Sequence, residues 1–561
     1  MKRLNIFNFF FLIFYFSLVS SNQGNNSIYR LQPENFVSVK SQKHKKIVAK
    51  NAVVVSANKY ATNAAWNILK SGGNAADATV TLQLILGLVE PQSSGIGGGS
   101  FLTYYNNKYN SVVAYEGREK APLDANENLF LNNKGKKLSF FDAVVGGLSV
   151  GVPGTLDLLF KFHEDHGKLS WKEVIQPAIK LSKFGFVPPQ RLKRALSKEK
   201  FLLKENVDNS YFLDISRKPR SLVRNFEYAN TLELISQDFR IFYEGEIARN
   251  IVKKVNEHKT NPGLLKLKDL VDYQSSKSDG LCKELKTFIL CGPNLPSSGG
   301  IAIIQALMVY ENFSFQNSKN EFEKIFKILD FIYFLRKEYL ADNAFENVNL
   351  KKLLNIDFLL QEFEKFLLLK SYKSSNYDKN EFNSTSHFSI LDFDGNVVSM
   401  TSSIENSFGS RQFVDGFLLN NQLTDFNFEP FKKKKIKNRV EGGKKPLSSM
   451  SPIIILDKER NFILSVGSPG GTAIISYVFK TIIDVMYLNI SPDESIKNGN
   501  FVSKDGRIFI EKGVFNKKKI RLNIENVIER NLISGIAIIK KEKKKIRAVA
   551  DPRRDGSVKG E

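Results

Sequence analysis

The stretch from Asn383 to Glu405 constrains the fold more tightly than any other part of the chain. It reads as two strands, 387–391 and 396–402, joined by a tight loop containing Asp394-Gly395. If Asp394-Gly395 were a two-residue loop, Phe388 would face Thr401 and Ile390 would face Ser399. If the loop is Phe393-Asp394-Gly395, with Gly395 left-handed at a bulge, Phe388 faces Met400 and Ile390 faces Val398. The second register gathers the apolar residues on one face, as a buried strand pair requires. It also sets Ser403 opposite Thr385, with Glu405 two residues on along the same face. His387, Ser389, Ser399 and Thr401 continue that polar face. One reading is an ordinary amphipathic hairpin with a Ser/Thr-rich exposed side. The other is chemical, because a threonine opening a strand beside a second hydroxyl suits a nucleophile at a newly made N-terminus. Cutting the chain before Thr385 would free an α-amine of pKa about 7.7–8.0. That amine could take the proton of the neighbouring hydroxyl.

Further motifs occur on both sides of this hairpin. Before it come Gly72-Gly73-Asn74-Ala75-Ala76-Asp77-Ala78, Gly97-Gly98-Gly99, Gly117-Arg118-Glu119-Lys120-Ala121-Pro122 and Pro296-Ser297-Ser298-Gly299-Gly300. After it come Leu419-Asn420-Asn421-Gln422-Leu423-Thr424-Asp425, Pro446-Leu447-Ser448-Ser449-Met450-Ser451-Pro452, Gly467-Ser468-Pro469-Gly470-Gly471 and Asp551-Pro552-Arg553. Together, and in this order, they resemble the gamma-glutamyltransferase family of N-terminal nucleophile hydrolases. The resemblance runs from about Lys50 to near the C-terminus.

The resemblance implies an autoprocessing enzyme that cleaves γ-glutamyl amides such as glutathione and passes the glutamyl group to water or to an acceptor amino acid or peptide. Thr385 would be the nucleophile, cut free from Ser384, with Ser403 orienting its hydroxyl. Gly470 and Gly471 would offer backbone N–H groups to the oxyanion. Arg118 would bind the donor's α-carboxylate through its planar fork, helped by Ser448 and Ser449. Without the resemblance, Arg118 reads as a surface ion pair with Glu116 or Glu119. Glu405, Gln422 and Asp425 would hold the α-ammonium, with glutamate at 405 where many relatives carry asparagine. A glutaryl-amide acylase of the same superfamily is the rival activity, and Gln422 and Asp425 favour glutamyl donors over it. A processing-defective periplasmic binding protein is the non-enzymatic rival, and intact Thr385, Ser403, Gly470 and Gly471 count against it. Residues 426–445 are short, lysine-rich and free of tyrosine, so a full lid over the site is not expected. His387 reads as structural, and Gly97 to Gly99 as sites of close backbone packing. No cofactor, metal cluster or phosphate-binding loop is implied.

The chain has 561 residues, enough for a large core. It shows no linker and no internal repeat. The resemblance implies one unit of two interleaved segments, 22–384 and 385–561, that remain paired as a heterodimer after the cut. The polar run 370–381 would be an exposed loop just before the junction. Residues 1–21 read as a signal peptide: Lys2 and Arg3, an apolar run over 6–19, then Ser20-Ser21. Export across the inner membrane to the periplasm follows, with an uncleaved anchor as the alternative. No other segment is apolar enough to span a membrane.

Cys282 and Cys291 flank a hairpin whose turn at Lys286-Thr287 would place them opposite one another. A bridge is the expectation in an exported protein, and two free thiols are the alternative. The net charge of +24 comes from 82 Lys and Arg against 58 Asp and Glu. Lysine runs at 432–435, 517–519 and 543–545 lack interleaved aromatics. They suggest a solvated surface and no nucleic-acid partner.

Periodicity predicts helices over 59–70, 74–88, 322–339, 353–368 and 473–488, and strands over 112–115, 452–456 and 462–466 as well as the hairpin. That mixture is α+β. The resemblance adds a four-layer αββα sandwich with two stacked antiparallel sheets.

Overall fold

The computed structural model describes residues 45–206, 210–314, 321–369, 384–429, 436–515 and 527–561. The signal or anchor segment at 1–21, the run 370–381 and the lysine runs at 432–435 and 517–519 lie outside the described residues.

The Asp394-Gly395 hairpin adopts the three-residue loop. Phe388 pairs with Met400 and Ile390 with Val398, and Gly395 has φ +83°. The strands are Ser386–Leu391 and Val397–Ser403. They lie near the middle of a seven-stranded antiparallel sheet. Its order is Ser557–Gly560, Val53–Ser56, Ser386–Leu391, Val397–Ser403, Gly99–Asn106, Ser111–Gly117 and Ser276–Asp279. A second antiparallel sheet runs Lys45–Ala49, Lys545–Ala550, Ala537–Glu542, Phe462–Gly467, Ile453–Leu456, Ile289–Gly292 and Leu281–Glu284. Each sheet draws strands from both sides of Thr385.

The sheets stack face to face. The polar side of the hairpin is therefore not exposed: every residue of both hairpin strands is buried. His387 Nδ1 lies 2.9 Å from Thr401 Oγ1. Ser389 Oγ lies 2.8 Å from Ser465 Oγ on the other sheet. A Cβ at Gly467 would come within 2.2 Å of the His387 ring, so the opposing strand approaches closely there. Apolar residues such as Val55, Tyr105, Ile454 and Ile539 fill the rest of the gap.

The outer faces carry helices. Phe388, Ile390, Val398 and Met400 pack against Lys59–Lys70, Ala75–Val89 and Thr155–His166. The first of these helices stops at Ser71, and Gly72 follows with φ +94°. The second is capped by Asn74 in a reciprocal capping box with Asp77. Ile453, Leu464 and Ile538 of the other sheet pack against Gly299–Asn312, Glu321–Tyr339 and Ile474–Ile482. The result is an α+β four-layer αββα sandwich.

Two helix expectations needed correction. The expected helix over 353–368 is broken, because Asn355 accepts a hydrogen bond from the Phe358 N–H and starts a new helix, Ile356–Leu368. The expected helix over 473–488 is an α-helix only over Ile474–Ile482 and widens into a π-turn at Ile483–Tyr487.

Cys282 and Cys291 sit directly opposite one another and are joined by a disulfide, with Cα atoms 4.1 Å apart. The turn between them is Lys286-Thr287, closed by the Leu285 N–H donating to Phe288 O at 2.9 Å.

Candidate active site

Thr385 immediately precedes a central strand and is only 2% exposed. Its Oγ1 donates to the Ser384 carbonyl at 2.5 Å and lies 3.2 Å from Ser403 Oγ. Ser403 Oγ also donates to Ser384 O, at 3.2 Å. Two hydroxyls therefore converge on the carbonyl of the peptide bond before Thr385. Gly98 makes this packing possible, since a Cβ there would lie 2.1 Å from Ser403 O.

Thr385 and Ser403 open onto a cavity of about 200 Å³. Arg118, Glu405, Gln422, Asp425, Ser448, Ser449 and Gly471 line it as well. Gly470 is not in the wall. It precedes the wall with φ +138°, a conformation open to glycine. Glu405 reaches the cavity differently from a strand residue. The strand ends at Ser403, and Glu405 has φ +75°. Its N–H donates to Ser403 Oγ at 2.9 Å. A left-handed turn, not strand alternation, brings it in.

Arg118 is fully buried, not a surface residue. Its Nη2 donates to Asp425 at 2.6 Å and to Leu447 O at 3.3 Å. Its Nε donates to Pro446 O at 2.9 Å, and Nη1 reaches Glu119 at 3.5 Å. Burial pushes the Glu119 carboxyl up to about 8, against the pull of Arg118. Gln422 Nε2 donates to Asp425 at 2.6 Å, and Asn421 Nδ2 donates to Glu405. Ser449 Oγ and Gln422 Oε1 are buried with no hydrogen-bond partner among the described residues. Such groups in a cavity wall suit a polar ligand. Burial pushes His387 down to about 3, so it is a poor base, and it does not line the cavity.

Phe140, Arg336 and Lys504 also line the cavity. No motif marks them. Arg336 lies on the helix Glu321–Tyr339, where its Nε donates to Ser298 Oγ at 2.9 Å. Lys504 ends the strand Phe501–Lys504 of a small third sheet. Of the stretch 426–445, residues 430–435 lie outside the described ones. Within the rest, Asn438 donates to Asp425 O at 2.8 Å and accepts from the Leu447 N–H at 3.0 Å. This stretch therefore braces the cavity wall. Among the described residues, no group of three or more His, Cys, Asp or Glu is placed to hold a metal ion. Nor is any described helix long and apolar enough to cross a membrane.

A four-layer αββα sandwich with a buried threonine at the head of a central strand, its hydroxyl against the preceding carbonyl, is the fold of the N-terminal nucleophile hydrolases. The family model described as Gamma-glutamyltranspeptidase matches residues 61–561, and the chain belongs to that family. A glutathione hydrolase proenzyme of Bacillus subtilis (strain 168) is 34% identical over 466 residues, covering 78% of each chain. One from Escherichia coli (strain K12) is 30% identical over 476 residues, covering 81% of each. In fold, the chain is similar to a cephalosporin acylase from Bacillus halodurans, with a TM-score of 0.80 at 19% identity over 93% of this chain and 97% of that one.

Proposed function

We propose that this chain is a proenzyme that cuts itself between Ser384 and Thr385. It then hydrolyses glutathione or a related γ-glutamyl amide, or transfers the glutamyl group to an acceptor amine. The observation that carries this reading is one cavity holding the Thr385 hydroxyl together with an arginine and two carboxylates, Arg118, Asp425 and Glu405. An α-amino acid head group needs that combination of charges.

In this reading Thr385 Oγ attacks the γ-carbonyl of the donor. The freed α-amine of Thr385 takes the hydroxyl proton and delivers it to the departing amine. A glutamyl ester on Thr385 remains, and water or an acceptor amine resolves it. Ser403 orients the hydroxyl. The N–H of Gly471, in the cavity wall, stabilises the oxyanion, at a turn that Gly470 shapes on the way into the helix Ile474–Ile482. Arg118, Ser448 and Ser449 take the α-carboxylate. Glu405, Gln422 and Asp425 take the α-ammonium. The orphaned Ser449 Oγ and Gln422 Oε1 gain partners when the donor binds. Residues 22–384 and 385–561 stay together as a pair, and residues 1–21 direct export, with the periplasm as the destination. The disulfide suits such an oxidising compartment.

The test is intact mass of the purified protein, followed by turnover of a γ-glutamyl anilide with and without glycylglycine. Two fragments meeting at 384/385 and release of the aniline are expected. A single stable chain, or two fragments inert toward the anilide, contradicts the reading. Stimulation by glycylglycine separates transfer from hydrolysis.

Glu405 is expected to set donor selectivity. Glu405→Gln keeps the shape and removes one of two negative charges in the cavity. Processing should persist, and efficiency with γ-glutamyl amides should fall about tenfold. Efficiency with glutaryl amides, which lack the ammonium, should hardly change. An unmoved ratio between the two donors would show that Glu405 does not meet the ammonium.

A further inference from the structure

The side of Ser384 away from the substrate cavity carries a buried polar cluster that turnover does not use. Ser384 Oγ lies 2.9 Å from Ser93 Oγ and accepts from Arg191 Nη2 at 3.3 Å. Arg191 Nη1 donates to Ser93 Oγ at 2.7 Å and to Glu90 at 2.8 Å. Glu90 is fully buried and Arg191 is 7% exposed. The Arg191 backbone N–H donates to Asp555 at 3.1 Å. Burial pushes the Glu90 carboxyl up, and the adjacent guanidinium pulls it back. Isolating such a pair from water costs about as much as the pair returns, so stability alone does not explain it.

The cluster grips both partners of the proposed cut. The Ser93 carbonyl accepts from the Ile404 N–H at 3.2 Å, next to Ser403. Its hydroxyl touches Ser384. One residue therefore ties the scissile carbonyl's own side chain to the strand end that supplies Ser403. On the other side, Arg554 Nη1 donates to Thr385 O at 2.7 Å.

We propose that Glu90, Arg191 and Ser93 are positioning residues for the self-cleavage step, holding Ser384 by its hydroxyl so that its carbonyl carbon stays against Thr385 Oγ1. This rests on the reading of Thr385 as the autoprocessing nucleophile. In the step, the Thr385 Oγ–C bond forms and the Ser384–Thr385 C–N bond breaks. The hydroxyl proton ends on the Thr385 nitrogen. Water then splits the ester, leaving a Ser384 carboxylate, a free Thr385 hydroxyl and a free α-amine. An attack inside one dipeptide depends strongly on the rotation about Ser384, and a fixed side chain limits that rotation. Once the bond is cut, the grip has no part in donor turnover.

The test follows first-order conversion of freshly purified precursor on gels, then measures γ-glutamyl anilide turnover by the fully cut protein. Ser93→Ala and Arg191→Lys should slow conversion about ten- to a hundredfold, the worth of a hydrogen bond to a charged group. Turnover by their cut forms should stay within about twofold of wild type. Ser384→Ala should slow conversion too, and Ser384→Ala combined with Ser93→Ala should be little slower than either alone. Conversion at the wild-type rate in Ser93→Ala and Ser384→Ala overturns the proposal. So does a parallel loss of conversion, turnover and thermal midpoint, the mark of a general packing role. If Arg191→Lys does not fold, the two serine variants decide. A wild-type chain that never converts refutes the nucleophile reading instead, so the two failures are distinguishable.

Discussion

Thr385→Ala is expected to leave one uncut chain with no measurable turnover of γ-glutamyl donors. Before the cut, the Thr385 nitrogen is an amide and cannot act as a base, so the chain depends on the hydroxyl already lying at the Ser384 carbonyl. That hydroxyl donates to the carbonyl oxygen at 2.5 Å. Ser403 Oγ also reaches the carbonyl oxygen, at 3.2 Å, but belongs to a residue whose own peptide is paired within the sheet. Removing the Thr385 hydroxyl removes the attacking atom and, with it, the route to the free amine. Both functions therefore fail in one substitution. Intact mass and terminal sequencing provide the check. Recovery of two fragments with a new terminus at 385 from this variant would sink the assignment.

Arg118→Lys is expected to keep self-cleavage and lose about ten- to a hundredfold in kcat/KM, corresponding to about 1.5–3 kcal/mol for a hydrogen bond to a charged group. The guanidinium binds Asp425, Pro446 O and Leu447 O at once, in a fully buried position. An ammonium keeps the charge but cannot span those partners and still turn an N–H, as Nη1 can, toward a substrate carboxylate. The loss should appear with γ-glutamyl anilide and be accompanied by a normal ratio of cut to uncut chain. An unchanged efficiency would mean that Arg118 only braces the wall.

The hairpin register was legible because alternation has a period of two and only one loop length keeps Phe388, Ile390, Val398 and Met400 together. The helices Lys59–Lys70 and Ala75–Val89 were legible because glycine and asparagine mark their ends. The burial of the polar hairpin face was not. Ser389 facing water and Ser389 facing Ser465 give the same pattern, and only the second sheet tells them apart. The route of Glu405 is hidden from the sequence for a related reason, since alternation says nothing once the chain turns left-handed. Arg118 stands among Gly117, Glu119 and Lys120, a local pattern that fits a surface charge, and only the family motif points to the site. Phe140, Arg336 and Lys504 enter the cavity from elements whose local sequence speaks only of packing or solvent. Ser93 and Arg191 met Ser384 only through tertiary structure, because 291 and 193 residues separate them from it in the chain.

Each sheet recruits strands from both sides of Thr385, so the cut proposed there would couple activation to inspection. The stretch Ser386–Leu391 is zipped between Val53–Ser56, from far upstream, and Val397–Ser403. A nascent chain lacking its downstream half has neither the hydroxyl partner nor the neighbouring ladder, so it carries no armed threonine. A chain that has closed both sheets has its fold already checked, and the proposed cut would be its stamp. Such a scission would not be a separation: the two products would be threaded through one another, and parting them would mean unravelling both ladders.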